Sequence, residues 1–448
     1  MKRHPSETHK PVARVLDLVD PASQQIWNMS PDEARRRMVE GGTAGVEEIQ
    51  GSFALWARDG ENVVMARSLD RPLRFFLAKE KDGPMLLVSD RIDRIAEALG
   101  EMGYGDQFHP SYTRMVPAHH VTTLRLIGCP DPNPVHRRFF DPPSATLPEN
   151  LDVIGERYVG ALVQQVRGWL RSVPEDEPLG VLFSGGADSG AVLLTIYHQL
   201  LELGQSPSRL KAFTLAAGSG GEDLTQAREF LRRTDLEMLG EVVEVPAEEV
   251  DPLAAVAVIE DYKPLDVECA AVALALVRGI RRRYPQWRWL ADGDGGDENL
   301  KDYPIEENPE LTIRSVVGNS MLYQEGWGVQ AVKHSLTYSG GLSRGCVRGW
   351  APARREGFCT FSPFTAPAVI AVAEAIPFDA LSSGDHQRLY GLKGEVLRRG
   401  VQRVLGMEMP IFAKRRFQHG AVDDSVARRF DGSPHRYRRH FLTLHAPQ

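Results

Sequence analysis

The stretch Gly180-Val-Leu-Phe-Ser184-Gly185-Gly186-Ala187-Asp188-Ser189 decides the fold. Its first half is a short apolar run bounded by glycine, the pattern of a buried strand. Immediately after the glycines, Ala191, Val192, Leu193, Leu194, Ile196 and Leu200 give the apolar density of a buried helix. A strand, a glycine turn and a helix start form a place where backbone N–H groups and the helix dipole meet an anion. Ser184 and Ser189 add hydroxyl donors just past the strand read over Leu179 to Phe183. Asp188 would repel a bare phosphate, so its carboxylate reads as a Mg²⁺ ligand. The string lacks the Gly-Lys-Ser/Thr of a Walker loop and the spacing of a dinucleotide fingerprint. The bland alternative is a turn in which Asp188 or Ser189 only caps the helix.

Working outward, further apolar runs at Leu210 to Leu215, Glu241 to Val245 and Trp289 to Ala291 alternate with helical patterns at Ser189 to Leu203 and Val267 to Arg283. This alternation predicts an α/β domain built on a parallel, doubly wound sheet. Upstream, Gly51-Ser-Phe-Ala-Leu-Trp-Ala, Asn62-Val-Val-Met-Ala-Arg and Met85-Leu-Leu-Val-Ser read as strands of an α+β domain. Proline-dense turns at Cys129-Pro-Asp-Pro-Asn-Pro and Asp141-Pro-Pro-Ser separate the two patterns and predict domains over residues 1–145 and 146–448. Beyond about Leu311 the chain reads as mainly helical or irregular.

A chain of 448 residues exceeds what one core organises, in keeping with two domains. The net charge of −7 is a poor footprint for general nucleic-acid binding, and Arg-rich clusters such as Arg281 to Arg283 read as solvated surface. Cys129, Cys269, Cys346 and Cys359 contain no CxxC pair, so neither a zinc ribbon nor a disulfide framework is expected, and the reducing cytoplasm is the expected compartment. The polar opening Met-Lys-Arg-His-Pro-Ser-Glu argues against a secretory signal, and the apolar stretch from Ala366 to Phe378 is broken by Pro367, Glu374 and Pro377. No membrane and no nucleic-acid partner is expected.

A second loop, Trp289-Leu-Ala-Asp292-Gly293-Asp294-Gly295-Gly296-Asp297-Glu298, places glycines and carboxylates at a strand's carboxyl end, where parallel sheets bind ligands. Alone it also reads as an acidic, solvated turn. A third segment, Pro410-Ile-Phe-Ala-Lys414-Arg415-Arg416-Phe417-Gln418-His419-Gly420, is basic and would ordinarily be solvated.

Together these segments resemble the asparagine synthetase family. The first loop resembles the SGGxDS loop of the ATP pyrophosphatase group, whose members cleave ATP between its α and β phosphates and form adenylates. The second resembles the family's SGEGADE segment, with Asp294 at its Glu position, Asp297 at its Asp position and Tyr303 on its tyrosine. Asn299-Leu-Lys-Asp302 departs from the usual Leu-Phe-Gly-Gly. Lys414, Phe417 and Gly420 keep the carboxy-terminal spacing of three, and Ser362-Pro-Phe364 resembles the segment upstream. Gly51-Ser-Phe-Ala-Leu-Trp, Met65-Ala-Arg67-Ser-Leu-Asp-Arg71-Pro72-Leu73 and Leu87-Val-Ser89 extend the resemblance to the amino-terminal domain. Between about Glu306 and Gly357 no family motif can be placed. Lys2 follows Met1 where glutamine-dependent members expose a nucleophilic cysteine. This resembles the glutaminase-deficient branch of β-lactam synthetases, carbapenam synthetases and lasso-peptide cyclases.

The resemblance implies an adenine nucleotide α-hydrolase-like sheet joined to a degenerate, glutaminase-like (Ntn-type) domain. It implies an ATP- and Mg²⁺-dependent ligase that adenylates a small-molecule or peptide carboxylate and passes the acyl group to an amine or ammonia. Leu182, Ser184, Gly185, Gly186, Asp188, Ser189, Gly293 and Asp294 would bind nucleotide, and Asp188 and Asp297 would hold the metal. Lys414 would stabilise developing negative charge, and Tyr303 would help deprotonate the amine. A homodimer, a separate glutaminase or another biosynthetic protein would be its partners. Two other readings stand beside this one: a tRNA-modifying pyrophosphatase-group enzyme, and a non-catalytic protein that keeps the fold.

Overall fold

Residues 12, 14–126, 133–218, 221–302, 305, 312–318, 346–412, 422, 426, 429–430 and 434–445 are described by the computed structural model. The chain divides into two units, the first comprising Met1–Asp141, Gly328–Leu342 and Leu442–Gln448, the second Pro142–Trp327 and Ser343–Phe441.

In the first unit the strands are β1 (Arg14–Leu18), β2 (Gln25–Ile26), β3 (Gly51–Ser52), β4 (Ala54–Asp59), β5 (Asn62–Arg67), β6 (Arg74–Ala78), β7 (Met85–Ser89), β8 (Arg114–Met115), β9 (His120–Arg125) and β10 (Val135–Arg138). They form two four-stranded sheets, β1-β7-β6-β8 and β10-β9-β5-β4, with β2 and β3 as a small ribbon. The period of two along β5 explains the layering. Val63 and Met65 join Phe75, Leu86 and Val88 of the other sheet in one core. Val64 and Ala66 point the opposite way, into a second core with Ala34 and Met38 of helix α1 (Pro31–Glu47), while helix α2 (Ile92–Glu101) follows β7. The turn after β5 is a buried charged knot. Arg71 pairs with Asp70 at 2.7 Å, both side chains nearly inaccessible. Asp70 also accepts from Ser52 and Ser68, and Arg67 donates to the carbonyls of Val116, Leu69 and Arg71.

The second unit is a mixed α/β structure. Its strands are β11 (Leu179–Leu182), β12 (Leu210–Ala217), β13 (Gly240–Val245), β14 (Trp289–Ala291) and β15 (Cys359–Phe361), in the order β13-β12-β11-β14-β15 with every pairing parallel. The chain moves outward from β11 to β13, then returns to lay β14 and β15 on the other side of β11. That reversal is the strand order of doubly wound sheets, and it puts the carboxyl ends of β11 and β14 side by side at the switch point. The described residues beyond about Leu311 are mainly helical or irregular, as expected, and β15 is the one strand of this sheet that the sequence pattern did not mark. Its three residues, Cys-Thr-Phe, are too few for any periodicity to register.

Two long helices lie beside this sheet, α3 (Leu151–Ser172) and, late in the chain, the helix His386–Leu405, and they pack along each other and against the helix Ala187–Glu202. Gly155 and Gly400 set the approach: a Cβ on Gly400 would lie 2.3 Å from the Gly155 carbonyl oxygen and 2.4 Å from Val159 Cγ2. Among the described residues no helix is long and apolar enough to cross a membrane.

Candidate active site

The first loop leaves β11 at Leu182 and enters α4 (Ala187–Glu202), with Gly186 as its N-cap. Gly185 takes φ +74, and a Cβ there would lie 2.7 Å from Ala227 Cα in helix α5 (Glu222–Arg233), so only glycine fits. The two serines stiffen the loop from inside. Their hydroxyls lie 3.3 Å apart, Ser189 donates to the Gly186 carbonyl, and the Gly186 N–H donates to Ser184 Oγ.

The second loop leaves β14 and packs directly onto the first. A Cβ on Gly293 would fall 2.7 Å from the Ser189 nitrogen. One on Gly296 would overlap the Asp188 carboxylate. These glycines let one loop rest against the other, bringing Asp188 and Asp297 together from positions 109 apart. Asp292 is held by its neighbours: Ser362 Oγ donates to Oδ1 at 2.6 Å, and the Asp294 N–H donates to the same oxygen at 3.1 Å. Burial and the Asp292 carboxylate push Asp294 well above the ordinary carboxylate range, which favours its protonated form.

At the meeting point stands a residue absent from the sequence-level candidates, Lys393. Its Nζ lies 2.5 Å from Asp188 Oδ2, 2.5 Å from Asp297 Oδ1 and 3.0 Å from Asp302 Oδ2. Burial disfavours its charge, but Asp188, Asp297 and Asp302 outweigh that and hold the ammonium well above the usual lysine range. The helix His386–Leu405 positions it, with Asp385 capping the start and Gly406 in the left-handed region at the end. Its inward stripe reads Leu389, Leu392, Lys393, Val396, Leu397, Gly400, Val401. A lysine inside an apolar stripe was the signal available in the sequence.

Asp188 and Asp297, the two residues expected from the sequence to hold a metal, are thus brought side by side on the lysine ammonium, and a divalent ion held there would need further oxygens, from water or phosphate, to complete its shell. The remaining candidates divide. Leu182, Ser184, Gly185, Gly186, Ser189, Gly293 and Asp294 lie in the two adjoining loops. Lys414 and Tyr303 lie outside the described residues. Met409 Cε lies 3.4 Å from where a Cβ on Gly190, in the first turn of α4, would be, and Val422 bridges to Ala217 at the end of β12.

The stretch without motifs also contributes. Gly349, in the helical turn Cys346–Trp350, sits so close that a Cβ would lie 2.5 Å from Asp292 Oδ2. Its neighbour Arg348 faces Asp266, with Nη2 3.9 Å from Oδ1, and these acidic surroundings hold its charge against burial.

Residues 160–339 match the family model described as asparagine synthase. No curated protein matches the chain.

Proposed function

We propose, from the premise that the chain belongs to the asparagine synthase family, that this ATP-dependent ligase adenylates a carboxylate and transfers the acyl group to an amine or ammonia. Convergence of Asp188 and Asp297 on one cationic point, at the switch point of a parallel sheet, carries the reading. A carboxylate does not condense with an amine at neutral pH because its oxygen leaves poorly, and adenylation gives it a better leaving group. A Mg²⁺ ion bound by Asp188 and Asp297 would supply the charge that neutralises the β and γ phosphates. The Ser184–Ser189 loop presents N–H groups and hydroxyls to the phosphates, and Gly293 and Asp294 line the same crevice. Lys393 adds a preorganised positive charge beside them. Lys414 would steady the charge on the transferring phosphate or on the tetrahedral oxyanion, and Tyr303 would help deprotonate the amine.

The first unit is proposed to be a degenerate glutaminase-like domain. Two face-to-face sheets with a helix against the second support that likeness, and Cys129 is the sole cysteine among residues 1–141. The amine would then come from solution or from a partner protein.

The test is hydroxylamine trapping with radiolabelled ATP and a panel of carboxylates. The reading expects carboxylate-dependent AMP, pyrophosphate and hydroxamate. ADP in place of AMP, or AMP formation indifferent to Asp188→Asn, would sink it.

A further inference from the structure

The loop that follows Asp297 is built around two residues that the reaction outlined above leaves unused, Lys301 and Asp302. Lys301 has φ +56, a conformation that costs an L-residue about 1 kcal/mol or more. Its ammonium is nonetheless almost wholly buried, 3.4 Å from Glu374 Oε1 and 6.0 Å from the Phe378 ring centroid. A strained backbone locked by a buried ion pair is a fixed turn. The next residue, Asp302, is fixed too, since its N–H donates to the Asp297 carbonyl at 3.0 Å. What the turn delivers is the Asp302 carboxylate, 3.0 Å from Lys393 Nζ.

Lys393 and a divalent ion make incompatible demands on Asp188 and Asp297. Both cations need the same oxygens, and like charges a few ångströms apart repel strongly in a part-buried site. When a divalent ion takes those two carboxylates, the lysine must give them up. Asp302 is the carboxylate left to receive it, and the four-carbon stem of lysine allows the small shift. We propose that Asp302 is a positioning residue that retains the Lys393 ammonium when Asp188 and Asp297 pass to a divalent cation, so that the lysine charge stays beside the metal–phosphate site. This inference rests on the metal reading given under the proposed function.

The test maps acetylation of Lys393 by mass spectrometry in the full chain, using an amine-acetylating reagent with EDTA or with Mg²⁺ alone. In the wild type Lys393 stays protected under both conditions. In Asp302→Asn it is protected in EDTA, where Asp188 and Asp297 still hold it, and becomes reactive when Mg²⁺ is added. Asp302→Glu, which keeps a carboxylate, restores protection. A purely structural role would expose Lys393 equally with and without the metal. Protection of Lys393 in Asp302→Asn with Mg²⁺ present would overturn the proposal, and so would Mg²⁺-dependent exposure in the wild type, which needs no variant to fold. Mn²⁺ titration followed by electron paramagnetic resonance separates the two layers. If Mn²⁺ fails to bind the wild type, the metal reading falls and takes this proposal with it. If Mn²⁺ binds and Lys393 protection is independent of Asp302, the proposal alone is wrong.

Discussion

Lys393 Nζ donates to Asp297 Oδ1 at 2.5 Å across a separation of 96 residues, joining the end of the β14 loop to a helix that enters the chain much later. Lys393→Met keeps most of the stem but leaves Asp188 and Asp297 facing each other without their shared cation. Removing one partner of a fully buried pair costs ~3–5 kcal/mol. Here the Asp188 and Asp297 side chains are 18% and 25% exposed, so the expected loss without metal is nearer ~2–4 kcal/mol. Mg²⁺ should then stabilise the variant more than the wild type, because it no longer displaces a lysine. Turnover should fall by ~10² or more, as for loss of one preorganised charge. Thermal melts in EDTA and in Mg²⁺, beside AMP formation, check both parts. An unchanged melting temperature in EDTA would contradict the first.

Asp188→Asn and Asp297→Asn should each abolish carboxylate-dependent AMP formation. Either change leaves the other carboxylate paired with Lys393, so the fold should survive and the melting temperature should fall less than in Lys393→Met. ATP–pyrophosphate exchange at saturating Mg²⁺ is the measurement. Near wild-type exchange in either variant would remove that residue from the site.

The two loops were legible because their signals are local. Glycines that must accept φ +74 at Gly185 and φ +96 at Gly295, set after short apolar runs, announce themselves in a few residues. The strands β11 to β14 were legible for the same reason. Lys393 was not, because its meaning lies in a contact 205 residues from Asp188. The unusual Asn299-Leu-Lys-Asp302 loop could be noticed but not interpreted. Its logic requires Glu374, Phe364 and Lys393, each far along the chain: Asn299 donates to the Phe364 carbonyl, Lys301 pairs with Glu374 and Asp302 meets Lys393. In the first unit the Arg67 and Arg71 segment could be matched to a family but its burial could not be read, since the partners Val116 and Ser23 lie far along the chain.

Gly400→Ala should destabilise the second unit by ~1–3 kcal/mol, the range for forcing a methyl into a filled interface. The new Cβ would meet the Gly155 carbonyl and Val159 Cγ2, pushing the helix that carries Lys393 away from α3. Activity should drop with stability for that reason. Gly160→Ala, on the same helix α3 with nothing within 4 Å of its would-be Cβ, is the control and should gain ~0.5–1 kcal/mol. Chemical denaturation of both variants decides. Equal effects would mean that the close approach at Gly400 does not set the packing.

The last prediction concerns acid stability and His119 in the first unit. Its imidazole is wholly inaccessible, with ring centroids 5.7 Å from Phe139 and 4.8 Å from Phe140. Burial, reinforced by the Arg67 and Arg138 charges, lowers its pKa from 6.5 to about 3. The unfolded chain therefore takes up a proton near pH 6.5 that the folded chain refuses until about pH 3. Stability from keeping this ring neutral is complete above pH 6.5 and is lost as pH falls through that window, at ~1.4 kcal/mol per pH unit. His119 has φ +59, so asparagine, which tolerates the left-handed region, is the suitable replacement. His119→Asn should cost stability at pH 7 through lost packing, yet its stability should fall less steeply on acidification. Between pH 6.5 and 5 the gap between wild type and variant should narrow by ~2 kcal/mol, from the slope just given. Urea unfolding at several pH values, followed by aromatic signals of the first unit, measures this directly. Parallel pH profiles for the two proteins would show that His119 is not the group being titrated.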